Sequence, residues 1–257
     1  MLALRHDPTF ADKEERLTMS TGSPTDRDHP VTPRSARGDI DRFLSQAETT
    51  PAAQGRLIFA LDATMSRQPT WDRACRLQGE MFSAVAASGR LSVQLLYYRG
   101  LSECRASRWA LDADTLRGFM MRIACQGGHT QIAKVLGHAR KEMGHQRVNA
   151  LVFIGDAMEE NADDLSVLAG ELGVLGLPCF MVQEGANTGV EAVFREIARL
   201  SGGAYLRLDE GSADALARLL RAVAAYATGG LTALEAEDSR EGRLLIGQLR
   251  SSGSSSS

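Results

Sequence analysis

Short apolar runs alternate along the chain with stretches of helical periodicity. Residues 57–61 (Leu-Ile-Phe-Ala-Leu) and the nearly continuous run at 148–154 have the length and composition of strands buried on both faces. Residues 91–98, 178–182 and 204–208 supply three more strands, the first rich in Leu, Val and Tyr. Residues 107–111, directly after a turn, fit a short antiparallel edge strand. Between these runs apolar residues recur at helical spacing. In 71–87 they are Ala74, Leu77, Met81, Phe82 and Val85, and Gly89 closes the helix. Further helices are predicted at 112–124, with Asp112 or Asp114 as cap, from Thr130 to about residue 142, and at 162–175, 190–200 and 212–226. Strand–helix alternation of this kind predicts an α/β fold: a doubly wound, Rossmann-like, mostly parallel six-stranded sheet with helices on both faces. The run at 148–154 should be central and should neighbour 57–61.

The flanks read differently. Residues 1–54 are polar and interrupted by Pro24, Pro30, Pro33 and Pro51, which predicts a mostly disordered segment, with one short helix possible at 38–48. The folded domain is expected over 55–228. Residues 229–257 form a C-terminal extension of undecided structure: an acidic connector (Glu235, Glu237, Asp238), an apolar patch (Leu244, Leu245, Ile246) and a Ser-rich tail.

Composition narrows the function classes. The 257 residues are 44% hydrophobic and 24% charged, as in ordinary globular proteins. A net charge of −3 and a pI near 6.0 give no electrostatic footprint for nucleic acid. No apolar run is long enough for membrane insertion, and the first 20 residues lack the apolar core of a secretory signal, so a cytoplasmic location is expected. Cys75, Cys104, Cys125 and Cys179 are widely spaced without a Cys-x-x-Cys, which argues against structural zinc and for free thiols, buried at Cys75 and Cys179.

The candidate chemistry sits at the predicted strand ends. Asp62-Ala63-Thr64-Met65-Ser66 closes the first strand with a carboxylate followed by two hydroxyls. In open α/β sheets ligands bind outside the carboxyl ends of strands. An all-oxygen donor set there suits a hard cation. Downstream, Gly127-Gly128-His129-Thr130 brings a hydroxyl on a sharply turning loop before a helix, and Gly155-Asp156-Ala157 ends the central strand with a second carboxylate. Two carboxylates side by side repel unless a proton or a cation intervenes.

Asp62-x-Thr64-x-Ser66, the Gly-Gly-x-Thr at 127–130 and Asp156 together resemble the metal-ion-dependent adhesion site (MIDAS) of von Willebrand factor A (vWA) domains, over about residues 56–228. Departures are Thr64 for the usual serine, Gly155 and Ala157 around the second aspartate, and Ile132 where another hydroxyl is common. The resemblance implies a vWA domain of the cytoplasmic bacterial type. Asp62, Thr64, Ser66, Thr130 and Asp156 would hold Mg2+ or Mn2+, directly or through water. A protein partner would complete the coordination with an Asp or Glu carboxylate. Similar bacterial proteins are associated with ATPases or chaperones in assembling other complexes. Arg67, Tyr98, Arg99 and His129, with Arg105 and Arg108 further out, form a candidate partner-binding rim. The acidic run Glu159, Glu160, Asp163 and Asp164 reads as a solvated loop favouring the N-terminus of the helix that follows.

Two other readings compete. A magnesium-dependent phosphohydrolase of the haloacid-dehalogenase-like type would also use Asp62 and Asp156, with Lys134 offsetting charge, but it needs a general acid where Thr64 stands. An interaction domain with a vestigial metal site is the other. Neither a phosphate-binding Gly-x-x-x-x-Gly-Lys-Ser/Thr loop nor a Gly-x-Ser-x-Gly elbow is present.

Overall fold

The computed structural model describes residues 54–85, 90–208 and 212–253. The disorder and the short helix expected within residues 1–54 fall outside the described residues, apart from Gln54 itself. Six strands form one sheet: β1 (Gln54–Asp62), β2 (Arg90–Arg99), β3 (Glu103–Ala110), β4 (Ala150–Gly155), β5 (Cys179–Glu184) and β6 (Ala204–Leu208). Their order is β3-β2-β1-β4-β5-β6. All neighbours are parallel except β2 and β3. This is the doubly wound α/β architecture that the alternation predicts, with the antiparallel strand at the edge. That strand is longer than the predicted 107–111, because Glu103–Ala106 continue its pairing to β2.

Burial explains the composition of each strand. Every residue of β4 and β5 is buried, which is why β4 centres on Leu-Val-Phe-Ile and β5 opens with Cys-Phe-Met-Val before the buried Gln183 and Glu184. Edge strand β3 is largely open and carries Glu103, Arg105 and Arg108. Side chains alternate across the sheet. Leu57, Phe59 and Leu61 enter one core with the helices α1 (Gln68–Leu77), α2 (Gly79–Val85), α3 (Ala113–Met120), α7 (Ala213–Ala236) and α8 (Arg240–Gly253). Ile58 and Ala60 enter the other, against α4 (Ile132–His145), α5 (Ala162–Val174) and α6 (Thr188–Ser201).

Helix starts follow side-chain chemistry. Asp112 accepts the Thr115 N–H at 2.7 Å, Asn161 accepts from Asp163 and Asp164, and Asn187 accepts from Gly189 and Val190. The single helix predicted at 71–87 is instead two, separated at Gln78, where Gly79 lowers helix propensity. The C-terminal extension, left open by its composition, is mainly helical over its described residues, to Gly253. α7 continues to Ala236 past a break at Gly230 (φ 64°), and α8 follows. Leu234 and Leu245 are fully buried, whereas Leu244 stays half exposed. The Gln248 side chain accepts the Tyr205 N–H and donates to the Tyr205 carbonyl, covering the open edge of β6 at that residue. Among the described residues no helix is long and apolar enough to cross a membrane.

Candidate metal centre

The register places the two acidic strand ends side by side. β1 pairs with β4 with Leu61 opposite Ile154, so Asp62 and Asp156 project past the same edge. The chain leaves β1 for β2 on one side and later returns to β4 on the other. The gap between the ends of β1 and β4 is therefore the topological switch point of the sheet, where α/β folds open a crevice. A crevice of about 210 Å³ lies there, lined by Asp62, Thr64, Ser66, Thr130 and Asp156 together with Met65, Gly127, Gly128, Ala157 and Glu159. The five residues with candidate ligand oxygens, drawn from three separate segments, thus line one space.

Each is positioned by its own local structure. Asp62 is 2% exposed, and its Oδ1 accepts the Thr64 N–H at 2.7 Å. That bond turns the chain sharply after β1 and leads it into the 3-10 turn Met65–Arg67. The Thr64 and Ser66 hydroxyls lie 3.2 Å apart. Thr130 is tied reciprocally to Glu159: its N–H donates to the Glu159 carboxylate (3.2 Å), and its hydroxyl accepts the Glu159 N–H (3.0 Å). The glycine loop needs Gly128 because a β-carbon there would meet the Gly100 carbonyl oxygen at 2.0 Å. His129 N–H donates to that same oxygen at 3.1 Å, so the two loops close on each other. Gly155 likewise has a packing reason. A side chain there would collide with the Phe153 ring at 2.9 Å, and that ring is fixed by stacking on Tyr98 and by an edge contact with Phe194.

Electrostatics separate the carboxylates. Burial raises the Asp62 pKa above the ordinary aspartate range; hydrogen bonds from Thr64 pull it back, and the nearby Asp156 adds to the rise. Asp156 is 30% exposed and faces Arg67, whose Nη1 is 3.3 Å from its Oδ2. The donor set is two carboxylates and three hydroxyls, with Glu159 at the margin and no nitrogen or sulfur. It fits a hard divalent cation. Among the described residues no three His, Cys, Asp or Glu side chains gather into a metal-holding group, so any ion here would depend on the hydroxyls as well.

The candidate rim needs correction at two positions. Arg67 is 5% exposed and Tyr98 is fully buried, so neither reaches a partner as placed. Arg67 is drawn inward by carboxylates. It is Tyr98, not the more open Tyr97, that packs into the core. The Tyr98 hydroxyl is buried beside Asp62, and burial with the nearby Asp62 charge pushes its pKa well above the tyrosine range. Arg99 and His129 remain accessible, the first bound to Glu103 and the Ala124 carbonyl, the second to Glu159. Lys134 lies off the crevice and donates to the Ser102 carbonyl and Gln131 Oε1. Cys125 is buried, with its thiol pushed up to about 11 by burial, and Cys75 is only half buried.

The acidic run divides by role. Asp163 and Asp164 occupy the first turn of α5 as expected. Glu160 instead reaches back to an earlier helix, accepting the Ile132 (2.5 Å) and Ala133 (2.9 Å) N–H groups at the start of α4, whose own cap residue Gln131 makes no side-chain cap. Glu184 is the functional-site neighbour that sequence reasoning missed. It ends β5 as Asp62 ends β1, so an acidic residue closing an apolar strand was its one visible signal.

No family model matches the sequence, and no curated protein does. Solved structures do. A von Willebrand factor type A protein from Catenulispora acidiphila superposes with a TM-score of 0.55 at 13% identity, over 69% of this chain and 43% of that one. The D319A mutant of the PilB minor pilin from Streptococcus sanguinis gives 0.53 at 9% identity, over 68% and 62%. The pilus adhesin SpaC from Lactobacillus rhamnosus GG gives 0.52 at 9% identity, over 68% and 30%. This chain spans less than two thirds of each of these three. At such identities the likeness concerns the fold: the described domain has the fold of vWA domains.

Proposed function

We propose that this protein is a metal-dependent protein-binding module. A divalent cation, Mg2+ or Mn2+, sits in the crevice between Asp62 and Asp156, and a partner's Asp or Glu carboxylate completes its coordination. The observation that carries this reading is the meeting of Asp62, Thr64, Ser66, Thr130 and Asp156 in one crevice at the switch point of a vWA fold. Asp62 and Asp156 supply charge, the three hydroxyls supply neutral oxygens, and Asp62, the most buried carboxylate of the set, gains most from a cation. The cation supplies one strong bond to the partner. Arg99 and His129 at the rim supply secondary contacts, and the module serves the assembly or regulation of a complex, such as one built around an ATPase or chaperone, in the cytoplasm.

The test is thermal unfolding of the purified chain in EDTA and then in millimolar Mg2+ or Mn2+, alongside Asp62→Ala. A cation that binds only the native state at 100 times its Kd stabilises by about 2.7 kcal/mol. The expected result is a Tm rise of several degrees with either ion that Asp62→Ala abolishes. An identical Tm with and without ions removes the metal anchor and leaves an interaction domain with a vestigial site.

A further inference from the structure

Arg67 follows directly on Ser66, yet its guanidinium turns into the protein. It forks between two carboxylates. Nη1 lies 3.3 Å from Asp156 Oδ2 at the crevice, and Nη2 bonds Glu184 and the Thr70 hydroxyl (2.9 Å) behind it. Glu184, 4% exposed, is further held by the Thr70 hydroxyl and by Arg73 at 3.3 Å. One buried cation thus links a candidate metal ligand just past β4 to an anchoring carboxylate at the end of β5.

The arrangement has an electrostatic consequence. A guanidinium and a divalent cation both draw on the Asp156 carboxylate, and they repel each other at this range. Arg67 also relieves the repulsion between Asp156 and Asp62 when no ion is present, so the crevice stands without one. Glu184 keeps the guanidinium satisfied if Asp156 turns to an ion, which avoids stranding a buried charge.

We infer that Arg67 is an intramolecular competitor for the divalent cation: it lowers the affinity of the crevice by holding Asp156, and Glu184 is the anchor that retains it when the ion enters. This rests on the metal-centre reading and adds its control.

Titration with Mn2+ alone, read by loss of the free-ion electron paramagnetic resonance signal, tests it. Arg67→Met alone would leave Glu184 with only Arg73 to balance its charge, so the informative variant is the double Arg67→Met/Glu184→Gln, which removes both charges. Arg67→Lys retains the cation, and Asp62→Ala serves as the blank. Circular dichroism melts check that each variant folds. The expected result is binding roughly tenfold tighter in the double variant, with Arg67→Lys close to wild type. Equal or weaker Mn2+ binding by the folded double variant overturns the competitor role while leaving the metal centre intact. Absence of Mn2+ binding in both wild type and double variant removes the metal centre, and the competitor role with it.

Discussion

Asp62 and Glu184 end parallel strands on the same edge of one sheet, and both are almost fully buried, at 2% and 4% exposure. Their surroundings differ. Glu184 is met by Arg67, Arg73 and the Thr70 hydroxyl, all from the turn after β1 and from α1. Asp62 has a hydrogen bond from the Thr64 N–H, an acidic neighbour in Asp156, the uncharged Tyr98 hydroxyl beside it, and Arg67 acting on it through space with no direct ion pair. One buried charge is answered from within. The other is answered mainly by neutral groups, and burial works against its ionised form. Burying a carboxylate without a direct ion pair is unfavourable, and the proposed metal centre would answer that cost at Asp62. The contrast separates the structural carboxylate from the candidate functional one more sharply than burial does.

Substitutions can break this contrast. The largest effect is expected at the internally paired acid. Glu184→Ala leaves Arg73 without its carboxylate and Arg67 with Asp156 alone, and should destabilise the protein by about 3 kcal/mol, read from urea unfolding without added ions. At Asp62 the sign reverses. Its pKa is raised in the folded state, so the native protein binds more protons than the unfolded chain, and stability falls as pH rises from the ordinary aspartate range through the raised value. Asp62→Asn keeps an acceptor for the Thr64 N–H and removes the charge. In EDTA at neutral pH it should be more stable than wild type by about 1 kcal/mol, and it should lose the response to Mg2+. That gap should close as the pH is lowered toward 4, which urea unfolding at two pH values checks; an unchanged gap would mean that Asp62 carries no penalty.

Glu160 offers an intermediate case, a carboxylate answered by backbone amides at a helix start. Glu160→Ala should cost about 1 kcal/mol and loosen the Thr130 loop, seen as faster amide exchange at Ile132 and Ala133. The smallest effect is expected at the exposed His129–Glu159 pair. His129→Ala should change Tm by less than about 2 °C in EDTA.

Much of the architecture was legible in the sequence because buried parallel strands and amphipathic helices leave local hydrophobic signatures. The runs at 57–61 and 148–154 identified two neighbouring strands, and their acidic ends marked the edge where the crevice opens. The Gly-Gly-x-Thr loop was legible too, since Gly128 is required by a backbone contact that no larger residue permits. The C-terminal extension was not, because α8 shows its function only when Gln248 meets the backbone of β6.

What the sequence determined by itself was the succession of strands and helices and the oxygen-bearing residues at their ends, because both depend on neighbours a few positions away. Tertiary structure alone decided the charges. Arg67 finds Glu184 across 117 positions, and Glu160 finds the start of α4 from 28 positions downstream. Such pairings exist only once the sheet has set which strand ends lie side by side. An arginine beside a hydroxyl motif looks like a rim residue in the sequence, and it becomes an internal partner because two carboxylates converge behind it.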